Sequence, residues 1–123
     1  MMRDERGCVL VVDDEPDMLE VTVLLLENCG YRALTARNGA QALEMMRQTR
    51  PCVVLLDLMM PVMDGWRFRE EQLREAALAD VPVVVITGAG VAASRTELFA
   101  GAVAFLEKPV AMDLLLKVVA EHC

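Results

Sequence analysis

Aromatic side chains are scarce in this chain, with one Trp, one Tyr and three Phe among 123 residues. Its core must therefore be built mainly from Val, Leu, Ala and Met, and the nine Met residues are read as core filler. Long apolar runs are also missing. The longest is a handful of residues, far short of the roughly 20 needed to cross a bilayer. The first residues, 1–7, lack the apolar stretch of a signal peptide, so a cytoplasmic location and no membrane partner are expected. Basic runs are absent too. Twelve Lys and Arg stand against 19 Asp and Glu, for a formal net charge of -7. That argues against direct nucleic-acid binding, which needs a basic patch. No cysteine pair has C-x-x-C spacing, so structural zinc is not expected. Cys8, Cys29, Cys52 and Cys123 are read as reduced, partly buried thiols.

What is present is an apolar content of 55%, enough to exclude disorder. The length fits a single domain over 1–123. Short β-rich runs at 8–12, 31–36, 53–56, 83–86 and 103–106 alternate with helical patterns. Three of these runs are nearly continuous in apolar residues, as in strands covered on both faces. The helical pattern from 15 to 29 places Met18, Thr22, Leu25 and Cys29 on one face, with Val21 and Leu24 adjacent. Pro16 suits its first turn and Gly30 its stop. Asn38 is read as the N-cap of a helix through about 48 that buries Ala42, Leu43 and Met46. Further helices are predicted over 64–78, with Trp66, Phe68, Leu73 and Leu78; over 92–100; and over 112–121, with Leu115, Val118 and Val119. Five β-then-α units in strict order indicate a parallel sheet with helices on both faces.

Ligands of such sheets bind at the carboxyl ends of the strands. Polar groups stand at four of those ends: Asp13-Asp14-Glu15 after the first strand, Asp57 after the third, Thr87 after the fourth and Lys108-Pro109 after the fifth. Each has an ordinary alternative as a cap, a loop polar residue or a solvated lysine, but their joint placement on one edge favours a site. Three convergent carboxylates repel unless a cation joins them. A hard divalent ion with oxygen ligands, Mg²⁺, suits such a set. Asp14 is read as a direct ligand, Asp13 as acting through water, and the backbone carbonyl of Met59 as a further oxygen. Asp57 is the candidate nucleophile, since a carboxylate can attack phosphorus to form an acyl phosphate. Lys108 and Thr87 would then neutralise and hydrogen-bond the phosphoryl oxygens.

The ordered segments Val11-Val12-Asp13-Asp14-Glu15, Asp57-Leu58-Met59-Met60-Pro61-Val62-Met63-Asp64-Gly65, Ile86-Thr87-Gly88 and Phe105-Leu106-Glu107-Lys108-Pro109 resemble the receiver domains of bacterial two-component response regulators. The resemblance covers nearly the whole chain. It implies a flavodoxin-like three-layer α/β/α sandwich, with a five-stranded parallel sheet of order 2-1-3-4-5. It also implies phosphotransfer to Asp57 from a sensor histidine kinase or histidine phosphotransfer protein. Phe105 matches the family's switch aromatic, and the bond before Pro109 matches one that is usually cis. The surface over 92–121 is then the expected output face and a possible homodimer surface. A phosphorylation-independent interaction module on the same fold is the alternative. An external phosphatase is disfavoured because Met59, two residues after Asp57, cannot protonate a leaving group. The expected catalysis is confined to the chain's own phosphorylation and dephosphorylation.

Overall fold

Strands rich in Val and Leu that alternate with helices can bury both sheet faces only if helices cover each side. The computed structural model, which describes residues 7–57, 65–87, 102–108 and 110–123, has this layered form. Its strands are β1 (Cys8–Val12), β2 (Arg32–Ala36), β3 (Val53–Asp57), β4 (Val83–Thr87) and β5 (Ala104–Glu107). They form one parallel sheet of order β2-β1-β3-β4-β5. The described helices are α1 (Pro16–Asn28), α2 (Gly39–Gln48), α3 (Gly65–Arg74) and α4 (Met112–His122). The architecture is the flavodoxin-like α/β/α sandwich. The helix expected over 92–100 lies outside the described residues.

Side chains alternate across the sheet with period two. Val9, Val11, Val53, Leu55 and Val84 pack with Leu19 and Leu26 of α1 and with Leu115, Val118 and Val119 of α4. Leu10, Val12, Val54, Leu56, Val83 and Val85 pack on the other side with Ala42, Leu43 and Met46 of α2 and Phe68 of α3. Each fully buried side chain of this size contributes about 1.5–3 kcal/mol. The strand alternation also fixes which face the polar strand ends occupy, since Asp13 continues the 9, 11 series and Asp57 the 53, 55 series.

Local chemistry sets the helix ends. Pro16 opens α1, where its missing N–H costs no hydrogen bond. Gly30, at φ 93°, follows the helix in the left-handed region, and its N–H donates to the carbonyl of Glu27. Asn38 caps α2 by accepting from the N–H of Gln41 at 2.9 Å.

The structure corrects four expectations. The helix predicted over 64–78 ends at Arg74, and turns follow it. On α1 the buried residues are Leu19, Thr22 and Leu26, while Val21 and Leu24 are 51% and 56% exposed. Apolar residues surround that helix, so periodicity could not select the face that meets the sheet. On α3, Leu73 is exposed, and the polar Arg69 and Gln72 are buried instead. Gln72 earns its place by hydrogen bonding: Nε2 donates to the carbonyls of Leu78 and Val81, and Oε1 accepts from Arg69. The cysteines are not all reduced. Cys52 and Cys123 form a disulfide across a sequence separation of 71, leaving Cys8 and Cys29 as thiols. Their distant positions in sequence meet because β3 starts and α4 ends on the same side of the molecule.

Candidate metal and phosphoryl site

The register places the site. Val12 of β1 pairs with Leu56 of β3, so the next residues, Asp13 and Asp57, stand side by side at the carboxyl edge. Both are nearly closed from solvent, at 8% and 3% exposure. Asp14 follows, half-buried. One carboxylate oxygen from each of Asp13, Asp14 and Asp57 lies within 4.8 Å of the others. Among the described residues this is the one group of three or more potential metal ligands so placed.

A single ammonium enters the cluster from β5. Lys108 follows Glu107, whose strand partner is Thr87, and its Nζ donates to Oδ2 of Asp57 at 3.0 Å. The same Nζ is 3.9 Å from Oε1 of Glu15. Burial works to lower the Lys108 pKa, but the hydrogen bond and charge of Asp57, with Asp13 and Glu15 behind it, raise it overall. Lys108 is therefore a fixed positive charge at neutral pH.

The Asp13 pKa is raised as well, which favours its neutral form. Burial is the main cause, the N–H of Glu15 donating to Oδ1 at 3.0 Å and the charge of Lys108 oppose it, the neighbouring Asp57 adds to it, and the pKa is raised to about 6. One ammonium does not balance three carboxylates in so confined a space. The donor set is all oxygen and carries excess negative charge, which fits a hard divalent cation such as Mg²⁺.

Beneath these groups, between α1, α4 and the sheet, is a cavity of about 500 Å³. Met18, Val110, Met112 and Leu115 line its apolar walls, and Asp13, Asp57 and Lys108 its polar rim. Sequence reading did not foresee it, because its walls come from separate elements. The proximity of Glu15 to Lys108 was also missed, although Glu15 follows directly on the acidic pair.

Of the residues singled out from the sequence, Asp13, Asp14, Asp57 and Lys108 come together. The backbone of Thr87 ends β4, paired with Glu107; its hydroxyl lies outside what is described. Met59 and Pro109, with the carbonyl ligand and the cis bond expected of them, also lie outside the described residues. Phe105 sits on β5, 47% exposed, alternating with the inward Leu106.

Comparison with known proteins places this arrangement among relatives. Residues 9–120 match the family described as the response regulator receiver domain. A probable transcriptional regulator, ycf27 of Porphyra purpurea, is 37% identical over 109 residues, covering 88% of this chain. The chain spans 44% of the length of that relative. Protein PilH of Pseudomonas aeruginosa is 31% identical, over 90% of this chain and 93% of its own. Among solved structures, the receiver domain of sensor histidine kinase PA1611 from Pseudomonas aeruginosa superposes with a TM-score of 0.83 at 26% identity. The match covers 94% of this chain and 96% of that one, which holds a magnesium ion in its active site cleft.

Proposed function

Because this chain belongs to the response regulator receiver domains, the phosphoacceptors of two-component signalling, we propose that Asp57 is its phosphorylated residue. The observation that carries the reading is the 3.0 Å contact between Lys108 and the buried Asp57, beside two further carboxylates. An Oδ of Asp57 attacks the phosphorus of a phosphohistidine. The new O–P bond forms as the P–N bond breaks, and the imidazole leaves. Lys108 already stands where phosphoryl oxygens would gather and can transfer its hydrogen bond from the carboxylate to them. Asp13, Asp14 and Asp57, with the carbonyl of Met59, are the groups that would hold Mg²⁺. When bound, that ion supplies positive charge against the phosphoryl oxygens. Catalysis extends no further than the chain's own phosphorylation and dephosphorylation.

Receiver domains of this class interact with histidine kinases. For this chain the phosphoryl donor is a sensor kinase or a histidine phosphotransfer protein. Phosphorylation adds roughly −1.5 to −2 charge and three strong acceptors. These would draw Thr87 and Lys108 inward and let Phe105 turn toward the space vacated. The surface of the 92–100 segment, β5 and α4 is the proposed output and homodimer face. Val103, Phe105 and Leu114 leave apolar area exposed there. Among the described residues no helix is long and apolar enough to cross a membrane, and the proposed location is cytoplasmic.

The test is incubation with acetyl phosphate and Mg²⁺, followed by intact-mass measurement. One phosphoryl group should be gained by the native protein and none by Asp57→Asn. Equal labelling of that variant would place the phosphoacceptor elsewhere.

A further inference from the structure

At the edge of the sheet opposite the carboxylates, the start of β3 meets the end of α4. Cys52 precedes β3 and Cys123 follows α4 as its C-cap, with Cα atoms 5.4 Å apart and the sulfurs bonded. The surroundings are shaped to admit this bond. Gly7 has φ 103°, and a Cβ there would stand 3.0 Å from Sγ of Cys52 and 3.6 Å from Cβ of Cys123. A side chain at position 7 would therefore press on the bridge, in a backbone conformation that L-residues rarely adopt. The two partners are held unequally. Cys52 is anchored by its N–H, which donates to the carbonyl of Cys8 at 2.8 Å. Cys123 is exposed at the last turn of a helix, its N–H donating to Val119 within the same helix.

We propose that Cys52 and Cys123 are a reversible oxidation site whose disulfide staples the end of α4 to the central strand β3. The bond closes a covalent loop that contains Asp57, Thr87, Phe105 and Lys108. The helix it secures packs beside β5 through Leu115, Val118, Val119 and Leu106. Cys123 is the more exposed of the two residues, so reduction begins there. A thiolate of a dithiol attacks Sγ of Cys123, the bond between the cysteines breaks, and Cys52 leaves as a thiolate that takes a proton. The second thiol of the dithiol then displaces Cys123 as a thiol. The protein gains two electrons and two protons, and the dithiol becomes a disulfide. With the staple open, the end of α4 is retained by its apolar face alone and frays more readily.

The test uses the native chain and needs no phosphoryl donor, so its outcome is independent of the role given to Asp57. Air-oxidised protein, unfolded and alkylated with iodoacetamide, should take up two labels, on Cys8 and Cys29. After dithiothreitol it should take up four, and after dithiothreitol followed by oxidised glutathione two again. Four labels without reductant, or four after reoxidation, overturns the site or its reversibility. Amide exchange over residues 115–123 should quicken at least tenfold on reduction; no change in 115–123 removes the staple. Reduction should lower the melting temperature by about 10 °C, because a closed loop of this length restricts the unfolded chain. Cys123→Ser should melt at the reduced temperature with or without dithiothreitol, whereas Cys29→Ser should keep the full redox response. A Cys123→Ser variant that still responds to dithiothreitol defeats the assignment.

Discussion

Desolvation makes the stability of the protein depend on pH through Asp13. Its pKa of about 6 in the folded protein exceeds the ordinary 3.8, so between roughly pH 4 and 6 the folded state holds more proton than the unfolded chain. Stability is favoured below about pH 4 and lost as pH rises through 6. In the absence of divalent cations, Asp13→Asn should therefore be more stable than the native protein at pH 7, by about 1–2 kcal/mol after allowing for solvent screening. At pH 4 the advantage should disappear, and urea unfolding in EDTA at the two pH values measures it. Lys108 presents the opposite charge to the same carboxylates. Removing it in Lys108→Ala leaves Asp57 without that ammonium, and calorimetric titration should show Mg²⁺ binding tighter by about tenfold, since a competing cation a few ångströms away is gone. A weaker ion affinity in this variant would mean that Lys108 organises the carboxylates rather than competing for them. The types of these residues and their places after strands were legible in sequence. The burial that shifts Asp13 was not, because it depends on elements distant in the chain.

At the scale of elements, strands were easier to read than helix faces. An apolar strand buried on both faces leaves no orientation to decide, whereas α1 carries apolar residues around most of its circumference and the sheet chose Leu19, Thr22 and Leu26. In α3 a polar residue became structural. Gln72 is fully buried and its amide satisfies two carbonyls of the segment leading to β4. Gln72→Ala should therefore cost about 2–4 kcal/mol by leaving those carbonyls and the Arg69 donor without this partner. Chemical denaturation followed by far-ultraviolet circular dichroism would measure the loss; a change below 0.5 kcal/mol, on the order of an ordinary surface substitution, would contradict it. The caps of α1 and α2 were legible because Pro16, Gly30 and Asn38 act within a few residues of themselves. The buried role of Gln72 was not, since its acceptors are presented only after the chain has turned.

For the whole molecule, the sheet and the ion site are linked thermodynamically. A cation that binds the folded carboxylate cluster and not the unfolded chain raises stability with its concentration. Adding Mg²⁺ at about 100 times its dissociation constant should stabilise the protein by about 2.7 kcal/mol. Differential scanning calorimetry should show a rise of several degrees, reversed by EDTA and absent in Asp14→Asn. An equal rise in that variant would show the cation acting elsewhere on this acidic chain.

The order of the strands and of the described helices, the carboxyl-edge position of Asp13, Asp14, Asp57 and Lys108, and the family followed from the sequence alone. They depend on local periodicity, on turn residues and on motifs contiguous in the chain. Tertiary structure alone decided the inward face of α1, the burial of Gln72, the cavity under the carboxylates and the Cys52–Cys123 bridge. Each of these requires two segments far apart in sequence to meet, and a pattern read along one strand or helix carries no distance to the other.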